Sequence, residues 1–356
     1  RTYTNDSKIP RATEKDVLLV WDGSIGKCAS GLSGAVGSTI VVLSPKNGLN
    51  TKYLEYFIKR SKNYITETST GSGLQHVNKS LLKTLEIPLP PDGGQKRIVD
   101  KLGVLLTKVK DAQSRLNRIP TILGRFRQSV FAAAFSGELT KEWRKKSKTD
   151  VEWQEIELRE VLTDLKYGTA KKCSLEKKKH PVLRIPNVVQ GYIDLNDMKY
   201  ADLDKKEYES LSLEIGDILL IRSNGSVSLV GRTALATEKE KGMAYAGYLI
   251  RLRVNKELII PEFLQYQFQS YAMRLQIELP ARSTSGVNNI NSEEVKNLQI
   301  ALPSLDEQKE VIRRLQASFA FLEKNEQEFN KAKSYTDKLE QSILAKAFRG
   351  ELVQSK

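Results

Sequence analysis

The sequence is written twice, and this constrains the fold more than any other feature. A shift of 213 positions carries Gly73 onto Gly286 and lays GSGLQHVNKSLLKTLEIPLPP (Gly71 to Pro91) over TSGVNNINSEEVKNLQIALPS (Thr284 to Ser304) without a gap. The same shift puts Gln95 on Gln308, Leu102 on Leu315, Leu116 on Phe329 and Phe126 on Leu339, and it ends with AFSGELT (Ala134 to Thr140) over AFRGELV (Ala347 to Val353). Upstream the register loosens, yet DVLLVWDGS (Asp16 to Ser24) still matches DILLIRSNGS (Asp217 to Ser226), and KYLEYFIKRS matches EFLQYQFQS. Solenoid repeats run to roughly 20 to 50 residues, so a duplication this long is one of whole domains. Each half is a variable globular unit followed by a helical one. Before the matching strand, the second copy holds 66 residues from Val151 to Gly216, whereas 15 precede Asp16 in the first. The first unit is therefore expected to lack about 50 residues at its start.

The helical parts carry the clearest period. Ile98, Leu102, Leu105, Val109, Ala112 and Leu116 alternate steps of four and three, which makes a coiled-coil seam. Their counterparts are Val311, Leu315, Ser318, Leu322, Asn325 and Phe329, weaker at two sites, with Phe319 and Phe321 available to widen the stripe. The two seams are expected to face each other. Asp92 with Gln95, and Ser304 with Glu307, have the spacing of capping boxes. Gly137 and Gly350 suit the left-handed residue that closes a helix. Pro120 has no backbone donor, so it kinks the first helix or opens a new turn. Unbroken from Gln95 to Phe135, that helix would be about 60 Å long at 1.5 Å per residue, a length fit for a ruler.

The segment KEWRKKSKTDVEW (Lys141 to Trp153) is charged and aperiodic and reads as a linker, or in its first residues as a solvated helix extension. The globular units mix strand-like runs (VLLVW, TIVVL, DILLI, YLIRLRV) with short amphipathic helices, giving units of α/β type with antiparallel or mixed sheets. With the long helices, the chain falls in the α+β class. The expected order is a first globular domain at residues 1–91, a helical region at 92–140, the linker at 141–153, a second globular domain at 154–304 and a helical region at 305–356.

Lys and Arg number 57 against 43 Asp and Glu, a net charge of +14 that favours a polyanionic partner. Two cysteines, Cys28 and Cys173, are too few for a disulfide framework and suit a cytoplasmic setting. With two histidines, His76 and His180, no Cys/His metal site can be assembled. Apolar runs are strand-sized, far short of the roughly 20 residues of a membrane span, so no membrane partner is expected.

Motifs for chemistry are missing from the sequence. There is neither an Asn/Asp-Pro-Pro-aromatic pocket nor a Gly-rich cofactor loop for an amino-methyltransferase, and no GxxxxGK[ST] phosphate loop. GLSGAVG (Gly31 to Gly37) lacks the dinucleotide-binding spacing and is expected to be a loop or hairpin. Asp194 and Asp197 (DLND) read as turn residues rather than metal ligands.

Basic, polar, glycine-bearing loops remain, at matching places in the two copies. In the second they are KYGTAKKCS (Lys166, Tyr167, Thr169, Lys171 and Lys172), RIPNVVQGY (Asn187), RSNGSVSLVGR (Arg222, Asn224, Ser226 and Arg232) and ARSTSGVNNIN (Arg282, Ser283, Thr284, Asn288 and Asn289). The first keeps WDGSIGK (Ser24 and Lys27) and STGSGLQHVN (Ser72, Gln75 and His76). Such loops suit double-stranded DNA, since Arg pairs bidentately with guanine, Asn and Gln with adenine, and Lys, Ser and Thr hold phosphates.

Two variable units, each followed by a helix, with IPLPP...QKRIVDKL...LGRFRQSVFAAAFSGELT in one copy and IALPSLDEQKEVIRRL...LEQSILAKAFRGELV in the other, resemble the specificity (S) subunit of a type I restriction-modification enzyme. The continuation LTKEWR (Leu139 to Arg144) is part of the resemblance. It implies two target recognition domains that each read a few base pairs of a bipartite target. It also implies conserved helices packed as an antiparallel coiled coil with pseudo-two-fold symmetry, docking two modification (M) subunits, and restriction (R) subunits in the full complex. This chain would then hold no cofactor, because S-adenosylmethionine, ATP and Mg belong to the partner subunits. Two other readings stay open: the recognition end of a larger single-chain restriction-methyltransferase, and a coiled-coil adaptor without base readout.

Overall fold

The structure, a computed structural model, describes residues 9–69, 76–77, 79–90, 92–147, 152–177, 180–281 and 286–353. The chain divides into two compact units, Arg1–Ile119 with Gln327–Lys356, and Pro120–Glu326. Helices and strands are mixed in both.

The first unit is built on a three-stranded antiparallel sheet in the order Cys28–Ser30, Val17–Val20, Ile40–Leu43, with Val17 opposite both Ser30 and Leu43. Asn50 caps the helix Thr51–Arg60 by accepting the Tyr53 N–H (3.1 Å). This helix buries Tyr53, Leu54, Phe57 and Ile58 in one core with Val17 and Leu19. The core is completed by Ile98 and Leu102 of the helix Asp92–Leu116 and by Leu344, Ala347 and Phe348 from the end of the chain's last helix. Phe348 packs on Tyr53 and Phe57, with ring centroids 4.9 and 5.4 Å apart.

The second unit has a four-stranded antiparallel sheet in the order Thr233–Leu235, Ile218–Ile221, Leu249–Val254, Leu162–Tyr167. Ile218 and Leu220 face one core and Leu219 and Ile221 another, which explains why DILLI is apolar at every strand position rather than alternating. A three-stranded sheet holds Ala244–Tyr245 parallel to His180–Leu183, which pairs antiparallel with Lys199–Ala201. The larger core takes in Val311 and Leu315 and, from the helix Ile119–Phe135, Phe131 and Ala134. Phe135 packs on Phe263 (5.5 Å), in the helix Pro261–Phe268.

The helix ending written twice is thus used crosswise. Phe131, Ala134 and Phe135 of the first copy enter the core of the second unit, and Leu344, Ala347 and Phe348 of the second copy enter the core of the first. In both units residue numbers rise along one helix as they fall along the other. Gln113 Nε2 donates to Asp337 Oδ1 (3.3 Å) in the first, while Arg127 meets Glu326 (3.8 Å) and Phe131 meets Phe319 (5.1 Å) in the second. Every seam position expected from the sequence is buried or half-buried, including Ser318 and Asn325. Phe319 packs on Phe131, whereas Phe321 is 60% exposed.

Each globular part is also tied to its own helix by a buried glutamine. Gln95 Oε1 accepts the Asn50 N–H (2.8 Å), and its Nε2 donates to the carbonyls of Gly48 and Pro90 (3.2 Å each). Gln308 Oε1 accepts the Ile260 N–H (2.7 Å), and its Nε2 donates to the carbonyls of Leu258 and Pro303 (2.9 Å each).

Four sequence expectations are refined or corrected. Gln95 makes no capping box, because its amide is spent on the loop before Thr51–Arg60, and the helix already begins at Asp92. The second box is half made. Glu307 N–H reaches Ser304 Oγ (3.4 Å), but the Glu307 carboxylate turns to Thr140 and Arg144. The first long helix is not continuous. It stops at Leu116 and restarts at Ile119 with Pro120 in the new first turn, where a missing donor costs nothing. The last helix, Leu305–Phe348, runs through its equivalent Lys333 unbroken. Finally, of the two readings of the charged segment, Lys141–Ser147 takes that of a helix extension.

The LTKEWR stretch explains that last point. Gly137, at φ 76°, turns the chain, and Thr140 Oγ1 donates to Glu307 Oε1 (2.5 Å). Arg144 donates to the Gly137 carbonyl (2.8 Å) and pairs with the same carboxylate oxygen. At offset 213 the first copy has Gly94 for Glu307, and the second has Val353 for Thr140, so the polar pair occurs in one unit and is absent as a pair in the other. The Glu307 side chain is 2% exposed and that of Arg144 21%. Arg144→Ala leaves a buried unpaired carboxylate and is expected to cost about 3–5 kcal/mol. Glu307→Ala frees an arginine that can reach water and is expected to cost clearly less. Denaturant unfolding of both variants checks the order, and equal losses would contradict it.

Candidate nucleic-acid interface

In each unit the central strand ends at a short return segment, and the junction is built with the same bonds. In the first unit the Val77 N–H donates to the Trp21 carbonyl (2.9 Å), and Asp22 forms an antiparallel bridge with His76. In the second the Ile290 N–H donates to the Arg222 carbonyl (2.8 Å), and Ser223–Asn224 pairs with Asn288–Asn289. Val77 and Ile290 are buried beneath the junction. Strand alternation then turns their neighbours His76 and Asn289 outward, and both are exposed.

The side chains on these equal backbones differ. In the first unit, His76 Nδ1 lies 3.5 Å from Asp22 Oδ1, and its ring is 6.5 Å from that of Trp21. The Trp21 indole N–H donates to the Ser38 carbonyl (2.8 Å), and Ser24 is exposed just beyond. In the second unit, Asn224 Oδ1 accepts the Ser226 N–H (2.9 Å), and Asn288 Nδ2 donates to the Gly225 carbonyl (2.9 Å). These two amides hold the turn, while Ser226 and Asn289 stay exposed. The Arg222 guanidinium lies 4.6 Å from the centre of the Tyr167 ring, and the Tyr167 hydroxyl accepts the Ser292 N–H (2.8 Å). Residues from three of the loops singled out by sequence, at 167, 222–226 and 288–289, are therefore brought together.

A second group gathers around Gly168. A Cβ there would lie 2.3 Å from the Tyr245 carbonyl oxygen, so only glycine admits the close approach of the two chains. The contact is sealed by Thr169 N–H on the Tyr245 carbonyl (2.9 Å) and Gly247 N–H on that of Thr169 (2.8 Å). Beside it lies a cavity of about 620 Å³ lined by Lys171, Lys172, Arg184, Lys199 and Tyr248. Lys172 is exposed, but the Lys171 ammonium is bound to Glu207 (2.9 Å) and near Asp204 (3.7 Å). The Lys171 bond, followed by one from Thr169, holds the Glu207 carboxyl below the usual carboxylate range.

Thr169 and Asn187 are buried and tied into the fold rather than exposed on a surface. Thr169 is 4% exposed and donates to Glu207 (2.6 Å). Asn187 is 1% exposed, accepts the Arg184 N–H (2.8 Å) and donates to the Asp194 carbonyl (2.7 Å). Lys166 lies half-buried in a strand, and Arg232 donates to the carbonyls of Val189 (3.0 Å) and Ser228 (3.1 Å). Lys27 lines a separate cavity of about 800 Å³ with Lys59, Lys62 and Lys338. Ser72, Gln75, Arg282, Ser283 and Thr284 lie outside the described residues. Sequence reasoning passed over Trp21, Lys199 and the 63% exposed Tyr248. The signal for Tyr248 was an aromatic beside glycine in AYAGY; for Lys199 there was none.

Burial pushes the Cys28 thiol up to about 11 and raises that of Cys173, so neither is a thiolate nucleophile at neutral pH. Among the described residues no three His, Cys, Asp or Glu side chains are grouped as metal ligands, and no helix is long and apolar enough to cross a membrane.

A family model described as the type I restriction modification DNA specificity domain matches residues 1–120 and 150–334. The specificity subunit of the type I restriction enzyme EcoKI from Escherichia coli (strain K12) is 34% identical over 319 residues, 89% of this chain and 68% of that protein. The StySPI specificity subunit of Salmonella potsdam is 35% identical, with the same two coverages. Among solved structures, a chain from a study of assembly and conformational transition in the type I R-M system aligns with TM-score 0.75 at 19% identity, covering 98% of this chain and 85% of its own. The HsdS subunit from Thermoanaerobacter tengcongensis aligns with TM-score 0.59 at 18% identity, covering 97% and 84%. The fold is shared with these structures, and on its sequence the chain belongs to the type I restriction-modification DNA specificity family.

Proposed function

We propose that this chain is the non-catalytic DNA sequence-recognition subunit of a type I restriction-modification complex. In this reading the globular domains at residues 1–91 and 154–304 are target recognition domains, one for each half of a bipartite target. The observation that carries it is the shared junction. One set of backbone bonds presents Trp21, Asp22 and His76 in one unit, and Arg222, Ser223 and Asn289 in the other. A common scaffold with unlike side chains suits two readers of unlike sequences, and the net charge of +14 suits a phosphate backbone.

The helices supply the spacing. The crosswise use of the two endings favours an antiparallel coiled coil from a duplicated chain, with each reader held at one end by its own glutamine clamp. Two-fold related readers of this kind present the same face to opposite strands of a duplex. The exposed faces of the helical regions at 92–140 and 305–356 dock two modification subunits, and restriction subunits join the full complex. S-adenosylmethionine, ATP and Mg belong to those partners.

Affinity for duplex DNA is expected to fall steeply with salt, by about 10³ to 10⁵ between 50 and 200 mM for 6–10 phosphate contacts. Gel shifts of the chain with its modification subunits on genomic fragments measure this, and a flat response would favour an adaptor that binds only proteins. One heptad inserted within Gln113–Leu116 and another within Lys333–Asp337, the stretches joined by the Gln113–Asp337 bond, lengthens both helices by about 10 Å. The gap between half-sites should grow by about three base pairs at 3.4 Å each, with the half-sites unchanged. An unchanged gap in the methylated motif would count against the ruler.

A further inference from the structure

Arg222 is the uncommitted arginine among the described residues of the second globular domain. Among the described residues of that domain, Arg159, Arg184, Arg251, Arg253 and Arg274 each bind a carboxylate, and Arg232 binds two backbone carbonyls. The Arg222 guanidinium has no hydrogen-bonding or ionic partner there, and its buried Nε is left unsatisfied. What holds it is the Tyr167 ring, 4.6 Å away, itself fixed through its hydroxyl by the Ser292 N–H. A cation partly withdrawn from water without an acceptor is a cost that a ligand acceptor removes. Held in one orientation, its planar fork loses little freedom on binding.

The equivalent position says which acceptor. Trp21 stands where Arg222 does, on a backbone with the same inter-strand bond. An indole has one donor, and that of Trp21 is spent on the Ser38 carbonyl. Phosphates are the same at both half-sites, so a phosphate-holding position would keep its donor in both copies. Base identity is what differs between half-sites, and the side chain changes with it. We infer that Arg222 reads a guanine in the half-site of the second unit, that Tyr167 is its positioning residue, and that Trp21 occupies the corresponding reading position in the first. The inference rests on the function proposed above and adds a base, a clamp and a matched pair of specificity positions to it. Guanine is the base whose O6 and N7 accept both arms of a guanidinium in the major groove.

The test uses the assembled methyltransferase, this full chain with its modification subunits, and maps methylated sites in genomic DNA for the unaltered chain, Arg222→Gln and Tyr167→Leu. The unaltered chain should require a G·C pair at one fixed position of one half-site. Arg222→Gln should lose that preference by about 5- to 150-fold in competition gel shifts, with every other position and the other half-site unchanged. Tyr167→Leu should relax the same position. If Arg222→Gln abolishes methylation altogether, competition gel shifts with the assembled Arg222→Ala complex decide: discrimination lost at that one position supports the inference, and retained discrimination overturns it. Uniformly weaker methylation with an intact motif would make Arg222 a phosphate contact, overturning the inference while leaving the function standing. Absence of any sequence-specific motif for the unaltered chain would overturn the function itself.

Discussion

Aromatic contacts from the two helix endings complete the two globular cores. Phe348 inserts between Tyr53 and Phe57, and Phe135 packs on Phe263. In the duplicated register these are the same contact made twice, each time between the ending of one copy and the globular part of the other. Truncating a buried Phe such as Phe348 typically costs about 3–5 kcal/mol; Phe348 lies in a wider set with Leu344 and Ala347, and the half-buried Phe135 in one with Phe131 and Ala134. Neither globular core is complete without the helix ending from the other copy. The opposed running of residue numbers along the paired helices follows from this exchange, since each helix begins at its own globular part and ends in the other.

The polar bonds do a different job. Gln95 and Gln308 each satisfy three backbone groups at the start of a helix, in the same pattern and between matched residues. Leaving those groups unpaired in a buried site would be costly, so the direction in which each helix leaves its globular part is tightly specified. The cluster of Thr140, Glu307 and Arg144 belongs to the second unit alone. Where it is absent, Gly94 and Val353 stand instead, and a polar pair has become a small and an apolar residue. The copies have diverged in how they lock their joints while keeping the joints themselves.

Much of this was legible in the sequence because it is periodic or repeated. The seam from Ile98 to Leu116 follows the helical period and is buried or half-buried throughout. Gly137 and Gly350 have positive φ, as helix-closing residues should. The matched loops at Trp21 and Arg222 fold into matched junctions. What failed depended on long-range partners that local spacing does not reveal. Gln95 has the spacing of a cap, yet its amide is taken by a loop more than forty residues away. Thr169 and Asn187 look like exposed loop residues in KYGTAKKCS and RIPNVVQGY, and each is instead a buried hydrogen-bonding hub. Lys199 and Tyr248 reach their cavity only through tertiary packing, which no motif announces.

In the function proposed above, two readers on one plan, clamped to exchanged helices, imply a target with two short specified blocks and an indifferent gap. The most direct measurement is a complete single-base substitution scan of one methylated site, scored by methylation by the assembled complex. The result expected is two clusters of intolerant positions of unlike sequence, separated by a run in which every base is tolerated but whose length cannot be changed. A single continuous block of intolerant positions, or a gap that tolerates insertion and deletion, would contradict it.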